Sequence, residues 1–98
     1  MRGFAKVRAA QPTLLSATIV SVETDLSRGL YSFSMVGLPD KAVEEARDRV
    51  SAAIKHAGFD APKSQNHKVT ISLAPAELKK EGAYFDLPIA LSYLLAAD

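Results

Sequence analysis

The sequence predicts an α+β (α/β) domain in which a mixed β-sheet carries helices on one face. Three observations support this class: period-two alternation in the N-terminal third, an amphipathic helical pattern after it, and a β-branched run followed by an apolar helix. The predicted order is β-β-β-α-β-α within a single domain, residues 1–98.

The first strands are predicted from short alternating segments. Phe4 to Ala9 is compatible with a first or edge strand, and Leu14 to Leu26 predicts a second strand. A third strand is predicted where aromatic and methionine side chains alternate with serines, at Tyr31, Phe33 and Met35. Because a glycine turn, Ser27-Arg28-Gly29, separates the second and third strands, they are predicted to form a β-hairpin. On one face of the second strand we expect Thr18, Val20, Val22, Thr24 and Leu26.

A helix is predicted after the third strand, with Asp40 as its N-cap and Gly58 as its C-cap. Phe59 to Lys68 lacks periodicity and is predicted to be a loop. Val69 to Leu73 is predicted to be an inner strand reached by a crossover connection.

The last part of the chain predicts a loop with one helical turn, Ala76 to Phe85, and a final helix capped by Asp86. From Ile89 to Ala97 nearly every residue is apolar. A helix that is apolar all round needs burial on more than one side, so further chain after Asp98 is expected to pack on it.

Composition narrows the function classes. The chain has no cysteine, which excludes disulfides and thiolate sites, and its net charge of +1 differs from that of a strongly basic nucleic-acid-binding domain. No signal peptide or membrane span is recognisable, so a soluble, cytoplasmic protein without membrane contact is expected. His56 and His67 have no acidic cluster at ligand spacing, and no metal site is predicted.

Few motifs for catalysis or ligand binding are present. Neither phosphate-binding glycine motif occurs, and no serine lies in a G-x-S-x-G setting. Lys79 and Lys80 form a local cluster of positive charge before Gly82. The cluster is interpreted either as part of a solvated loop or as a weak phosphate-binding site. The candidate nucleic-acid-binding residues are Lys63, Lys68, Lys79 and Lys80.

Three sequence blocks occur in order: Phe33-Ser34-Met35-Val36-Gly37-Leu38-Pro39-Asp40 after Asp25 to Gly29, Glu45 to Val50 leading to Gly58-Phe59, and Leu73-Ala74-Pro75-Ala76 followed by Glu81-Gly82 and Phe85 to Ala90. Together they resemble the N-terminal domain of the magnesium-chelatase-like AAA+ ATPases of the YifB/ComM family. The resemblance runs from about residue 4 to the end of the chain.

The resemblance implies a ribosomal protein S5 domain 2-like fold, shared with the proteolytic domain of Lon, ahead of a P-loop ATPase module. In Lon-like proteases the matching turn carries a nucleophilic serine that a lysine on a later helix activates. Here Tyr84 occupies the approximate nucleophile position within a pseudo-active-site region that comprises Glu81, Gly82, Tyr84 and Asp86. A phenol is a poor replacement for that serine, so peptidase activity is disfavoured.

The family resemblance also implies partners and cofactors. ComM-type proteins are hexameric ATP-driven motors linked to DNA processing in natural transformation. ATP and Mg²⁺ are therefore expected to bind to the ATPase module, and no cofactor is expected in this chain. The leading hypothesis is a non-catalytic accessory domain that aids subunit assembly or DNA engagement. The alternatives are a residual Lon-like peptidase and a purely structural domain.

Overall fold

The computed structural model describes residues 2–12, 16–75, 80 and 82–98, and the elements found there follow the predicted order. The strands and helices are β1 (Phe4–Pro12), β2 (Ala17–Arg28), β3 (Ser32–Val36), α1 (Asp40–His56), β4 (His67–Ala74) and α2 (Asp86–Ala97). Short 3₁₀ turns cover Pro62–Ser64 and Gly82–Phe85. The beginnings of the predicted second strand, at Leu14, and of the predicted loop, at Ala76, lie outside the described residues.

The four strands form one mixed sheet in the order β1-β2-β4-β3. The two pairings made by β2, with β1 and with β4, are antiparallel, whereas β3 and β4 run parallel across the α1 crossover. The prediction of an inner strand at β4 is confirmed. The predicted hairpin of β2 with β3 is wrong, because β4 lies between them. In this position β4 is hydrogen-bonded to a strand on each side, so its apolar residues lie inside the sheet. A hairpin of β2 with β3 would have prevented β4 from pairing with both of these strands.

The core lies between one face of the sheet and the two helices. On β2 and β4 the inward residues alternate with half-buried or exposed ones, as the period-two pattern predicted, and the inward side of α1 contributes Val50 and Ile54. Residues on the opposite face of the sheet, such as Lys6, Arg8 and Thr70, are exposed. Both helices therefore cover the same face, which confirms the predicted fold class. The largest fully buried side chains include Phe85, Ile54, Ile71, Leu73 and Ile89.

The ends of α1 differ slightly from the predicted caps. Asp40 is the first helical residue, and the N-cap position belongs to Pro39, which has no side-chain donor or acceptor to offer. At the other end Ala57 is the C-cap and Gly58 follows it with φ +93°. The amide of Gly58 donates to Lys55 at 3.0 Å and that of Phe59 donates to Ile54 at 3.2 Å. These two bonds form a Schellman motif, which requires a left-handed residue such as glycine.

Candidate functional site

The pseudo-active-site region lies at the start of α2. Tyr84 belongs to the 3₁₀ turn and is 55% exposed, whereas the next residue, Phe85, is fully buried. Within the described part of the chain the Tyr84 hydroxyl has no hydrogen-bond partner. No base among these described residues is therefore hydrogen-bonded to the phenol to activate it. Gly82 begins the turn, and Glu81 lies outside the described residues.

Asp86 forms an ion pair that the sequence did not predict. Arg49 Nε donates to Asp86 Oδ2 at 2.6 Å, and Arg49 Nη2 donates to Oδ1 at 3.1 Å. The hydrogen bond to Asp86 is the main reason why the pKa of Arg49 is raised above its ordinary value. The Asp86 carboxylate is thus oriented by α1, and the prediction that it caps α2 is wrong, since Phe85 holds the N-cap position. This two-point pair ties the start of α2 to α1.

The candidate lysines are not gathered into one cluster in the described part of the chain. Lys80 is buried and donates to the carbonyl oxygen of Pro75. Lys68 lies exposed on β4, on the outer face of the sheet, and Lys63 lies exposed on the 3₁₀ turn after α1. Lys79 lies outside the described residues. A role for these lysines in nucleic-acid binding stays a prediction.

Lys63 instead lines a pocket beside α1 with residues that are not among the predicted site residues. The pocket has a volume of about 310 Å³ and is lined by the residue before β3, by α1 and by the 3₁₀ turn. Its other lining residues are Tyr31, Arg47, Asp48 and Ser51. Burial raises the pKa of Tyr31 above 10.0, and the charges of Arg47 and Asp48 act on it in opposite directions.

The outer side of α2 presents a second unpredicted feature, an apolar surface. Leu87, Leu91 and Leu95 are 68%, 45% and 42% exposed. Their spacing of four residues places them on one side of the helix, opposite the buried Ile89 and Tyr93, and we call them the leucine face. Asp86 is the sole charged residue of α2. The apolar sequence therefore covers the core with one side of the helix and leaves large side chains in water on the other.

A cavity of about 250 Å³ lies between the end of α2, the segment after α1 and the start of β4, and Phe59, Gln65, His67 and Tyr93 contribute to its lining. Burial raises the pKa of Tyr93 above 10.0, and the Nδ1 atom of His67 is buried without a hydrogen-bond partner among the described residues.

No group of three or more His, Asp or Glu side chains able to hold a metal ion is found in the part of the chain that the structure describes. Neither described helix is long and apolar enough to cross a membrane.

Comparison with known proteins identifies the family. The model of the family described as subunit ChlI of Mg-chelatase matches residues 22–98. The chain belongs to this family. The matched residues include β2 from Val22 onward, β3, β4 and both helices, and hence most of the core.

Relatives within the ChlI family also match closely in sequence. The chain is 48% identical over 84 residues to YifB of Escherichia coli (strain K12) and, over the same length, to competence protein ComM of Haemophilus influenzae. A protein of Mycobacterium bovis is 40% identical over 82 residues. These findings confirm the resemblance to the N-terminal domain of the YifB/ComM family. The match covers 86% of this chain but only 16% of YifB or ComM.

A solved structure with a similar fold is a crystal structure of a protein from Thermus thermophilus. The TM-score is 0.55 at 19% sequence identity, and the match covers 92% of this chain and 15% of that chain. At this identity the likeness concerns the fold alone. The mixed sheet with both helices on one face is consistent with the expected S5 domain 2-like fold.

Proposed function

We propose that this chain is a non-catalytic accessory domain that promotes subunit assembly of a Mg-chelatase-like ATPase through its leucine face. The observation that carries the proposal is the exposure of Leu87, Leu91 and Leu95 along one side of α2. A helix that faces water usually carries charged residues on its outer side, and α2 has none after Asp86. Its outer side is therefore suited to contact with another apolar surface.

The proposed binding partner is an apolar surface of a neighbouring subunit in the assembled protein. The relatives YifB and ComM are about six times as long as the segment matched here, so most of such a protein lies outside this domain. Large aliphatic side chains that become fully buried are effective anchors at the centre of an interface. The Arg49–Asp86 ion pair supports the proposal because it orients the first turn of α2, from which Leu87 projects.

The absence of catalysis in this domain is part of the proposal. The Tyr84 hydroxyl has no neighbouring base in the described part of the chain, and the carboxylate of Asp86 is engaged by Arg49. A residual peptidase, the alternative left open by the sequence, would need an activated nucleophile there. ATP and Mg²⁺ would bind to the ATPase module of the longer protein, which we propose to be a cytoplasmic hexamer.

The test uses the full-length protein that carries this domain, with Leu87→Gln, Leu91→Gln and Leu95→Gln combined. We expect sedimentation velocity to show a smaller assembled fraction, and ATP hydrolysis to fall with it. The matched control combines Ile19→Gln, Leu30→Gln and Val36→Gln, which are exposed apolar residues away from α2. It should assemble normally.

A second measurement separates docking from folding. In the 98-residue chain the three leucine substitutions should change thermal stability little, because exposed side chains contribute within about 0.5 kcal/mol each. Wild-type assembly of the leucine variant would refute the proposal. A leucine variant that unfolds as an isolated chain would also refute it, since the leucines would then be part of the core.

A further inference from the structure

The pocket beside α1 combines hydrogen-bond donors from three separate parts of the chain. Tyr31 directly precedes β3, and Lys63 lies on the 3₁₀ turn Pro62–Ser64. Arg47 and Ser51 lie on consecutive turns of α1. Arg47 and Ser51 are four residues apart and therefore lie on the same side of the helix. The chain thus brings a guanidinium group, an ammonium group and two hydroxyl groups to the lining of one pocket.

Most of these donors have no partner among the residues that the structure describes. In the part of the chain that the structure describes, no hydrogen bond is made by the Tyr31 hydroxyl, the Ser51 hydroxyl or the Lys63 ammonium group. Arg47 uses only Nε, which donates to Asp48 at 3.3 Å. That contact orients the guanidinium group and leaves its two terminal amino groups available to a ligand.

The charges and the size of the pocket narrow the ligand class. Two cations against the single carboxylate of Asp48 leave a net positive charge, which favours an anion. A carboxylate has two oxygens and would leave some of the four donor groups unpaired, whereas a phosphate group offers up to four oxygens around one centre. The volume of about 310 Å³ is at the small end of the range for ligand pockets, roughly 300–1,000 Å³.

We propose that Tyr31, Arg47, Ser51 and Lys63 form a binding pocket for a phosphate group. Arg47 and Lys63 supply the charge, and the two hydroxyls supply directed hydrogen bonds. The phosphate group can belong to a nucleic-acid backbone or to free phosphate and small phosphorylated molecules. This inference goes beyond the proposed assembly role, since the pocket lies on the β3 side of α1 and shares no residue with the leucine face.

The test is an NMR titration of the 98-residue chain, with inorganic phosphate in one arm and a short single-stranded oligothymidylate in the other. Ionic strength is held constant with sodium chloride. We expect saturable shifts of the amide signals of Tyr31, Arg47, Ser51 and Lys63. An oligothymidylate with an uncharged methylphosphonate backbone should produce none of them.

Two sets of variants separate a built pocket from general attraction between charges. Arg47→Gln with Lys63→Gln should weaken phosphate binding at least about tenfold, because two charge-assisted bonds are lost. Lys41→Gln with Lys55→Gln removes the same charge from exposed positions of α1 and should change affinity less than about twofold. Tyr31→Phe and Ser51→Ala leave the charge unchanged and should each weaken binding, which general electrostatics would not produce.

The two arms also identify the source of the phosphate group. Tighter binding of the oligothymidylate, falling about two- to threefold between about 50 and 200 mM salt for the one phosphate that the pocket neutralises, points to a nucleic-acid backbone. Equal or weaker binding than phosphate itself points to a small phosphorylated ligand, and supports the pocket equally. The proposal is overturned if no shift saturates, or if both charge-removing pairs weaken binding to the same extent.

Discussion

Replacing Ser92 by alanine tests a buried polar contact that joins α2 to the sheet. The Ser92 hydroxyl donates to Thr24 Oγ1 at 2.6 Å, and the carbonyl oxygen of Ala5 lies 3.5 Å from the same oxygen. Both Ser92 and Thr24 are fully buried. After Ser92→Ala the Thr24 hydroxyl keeps its position in the core but loses its partner.

The expected magnitude follows from this geometry. An unsatisfied buried hydroxyl costs roughly 1–3 kcal/mol, a large share of the total stability of a small domain, about 5–15 kcal/mol. Thr24→Val alone leaves Ser92 with only the long contact to Ala5 and should cost about 1 kcal/mol. Removing both hydroxyls leaves an apolar pair of similar shape. The double variant should therefore be more stable than the sum of the single losses predicts, by about 1–2 kcal/mol.

The assay is urea denaturation of the wild type, both single variants and the double variant, followed by circular dichroism under identical conditions. Equal slopes with urea concentration would show that the variants expose the same surface on unfolding. If the double variant loses the sum of the two single losses within about 0.5 kcal/mol, the hydroxyls are independent and the reasoning is refuted.

Three further predictions concern the core, the turns and high pH. Ile71→Ala, in the centre of β4, should cost about 2–5 kcal/mol in urea denaturation, whereas Ile19→Ala on the outer face should stay within about 0.5 kcal/mol; similar losses would contradict the assigned faces. Gly58→Ala should lower the free energy of unfolding by about 1 kcal/mol because of its positive φ alone, and Gly37→Ala should lower it clearly more, because the new Cβ would lie 2.4 Å from a backbone oxygen of β4. A larger loss for Gly58→Ala than for Gly37→Ala in thermal melts would exclude this explanation. Burial raises the pKa of Tyr93 above 10.0, so the unfolded chain loses the Tyr93 proton at lower pH than the folded chain, and stability should fall as pH rises above about 10. In urea denaturation at increasing pH, Tyr93→Phe should reduce this fall in the midpoint.

Sequence reasoning predicted the local elements well where the pattern of apolar residues is periodic. The alternation in β2 correctly assigns Val20, Val22 and Leu26 to the core, and the amphipathic pattern correctly predicts a helix, α1, with one buried side, which contributes Val50 and Ile54. These assignments depend only on the repeat of each element, so they can be read without knowing the neighbours. The sequence blocks likewise sufficed to predict the family, which the comparisons confirm.

The strand order could not be predicted in the same way. A glycine turn between β2 and β3 favours a hairpin locally, yet β4 separates the two strands in the sheet. The alternative strand orders differ in whether β4, with its apolar residues, pairs with a strand on each side. That depends on the whole sheet and not on the turn between β2 and β3. For the same reason Asp86, a plausible helix cap in isolation, is engaged by Arg49 from a distant part of the chain.

By itself, the sequence determined the α+β class, the apolar faces of the regular elements and the family, since each depends on neighbouring residues or on motifs in order. Only the tertiary structure decided which side of the largely apolar α2 is left exposed, and that Tyr31, Arg47, Ser51 and Lys63 share one pocket. The physical reason is that a helix with apolar residues all round has no preferred side until the sheet and α1 cover one. The pocket residues, similarly, meet only after the crossover places α1 beside β3.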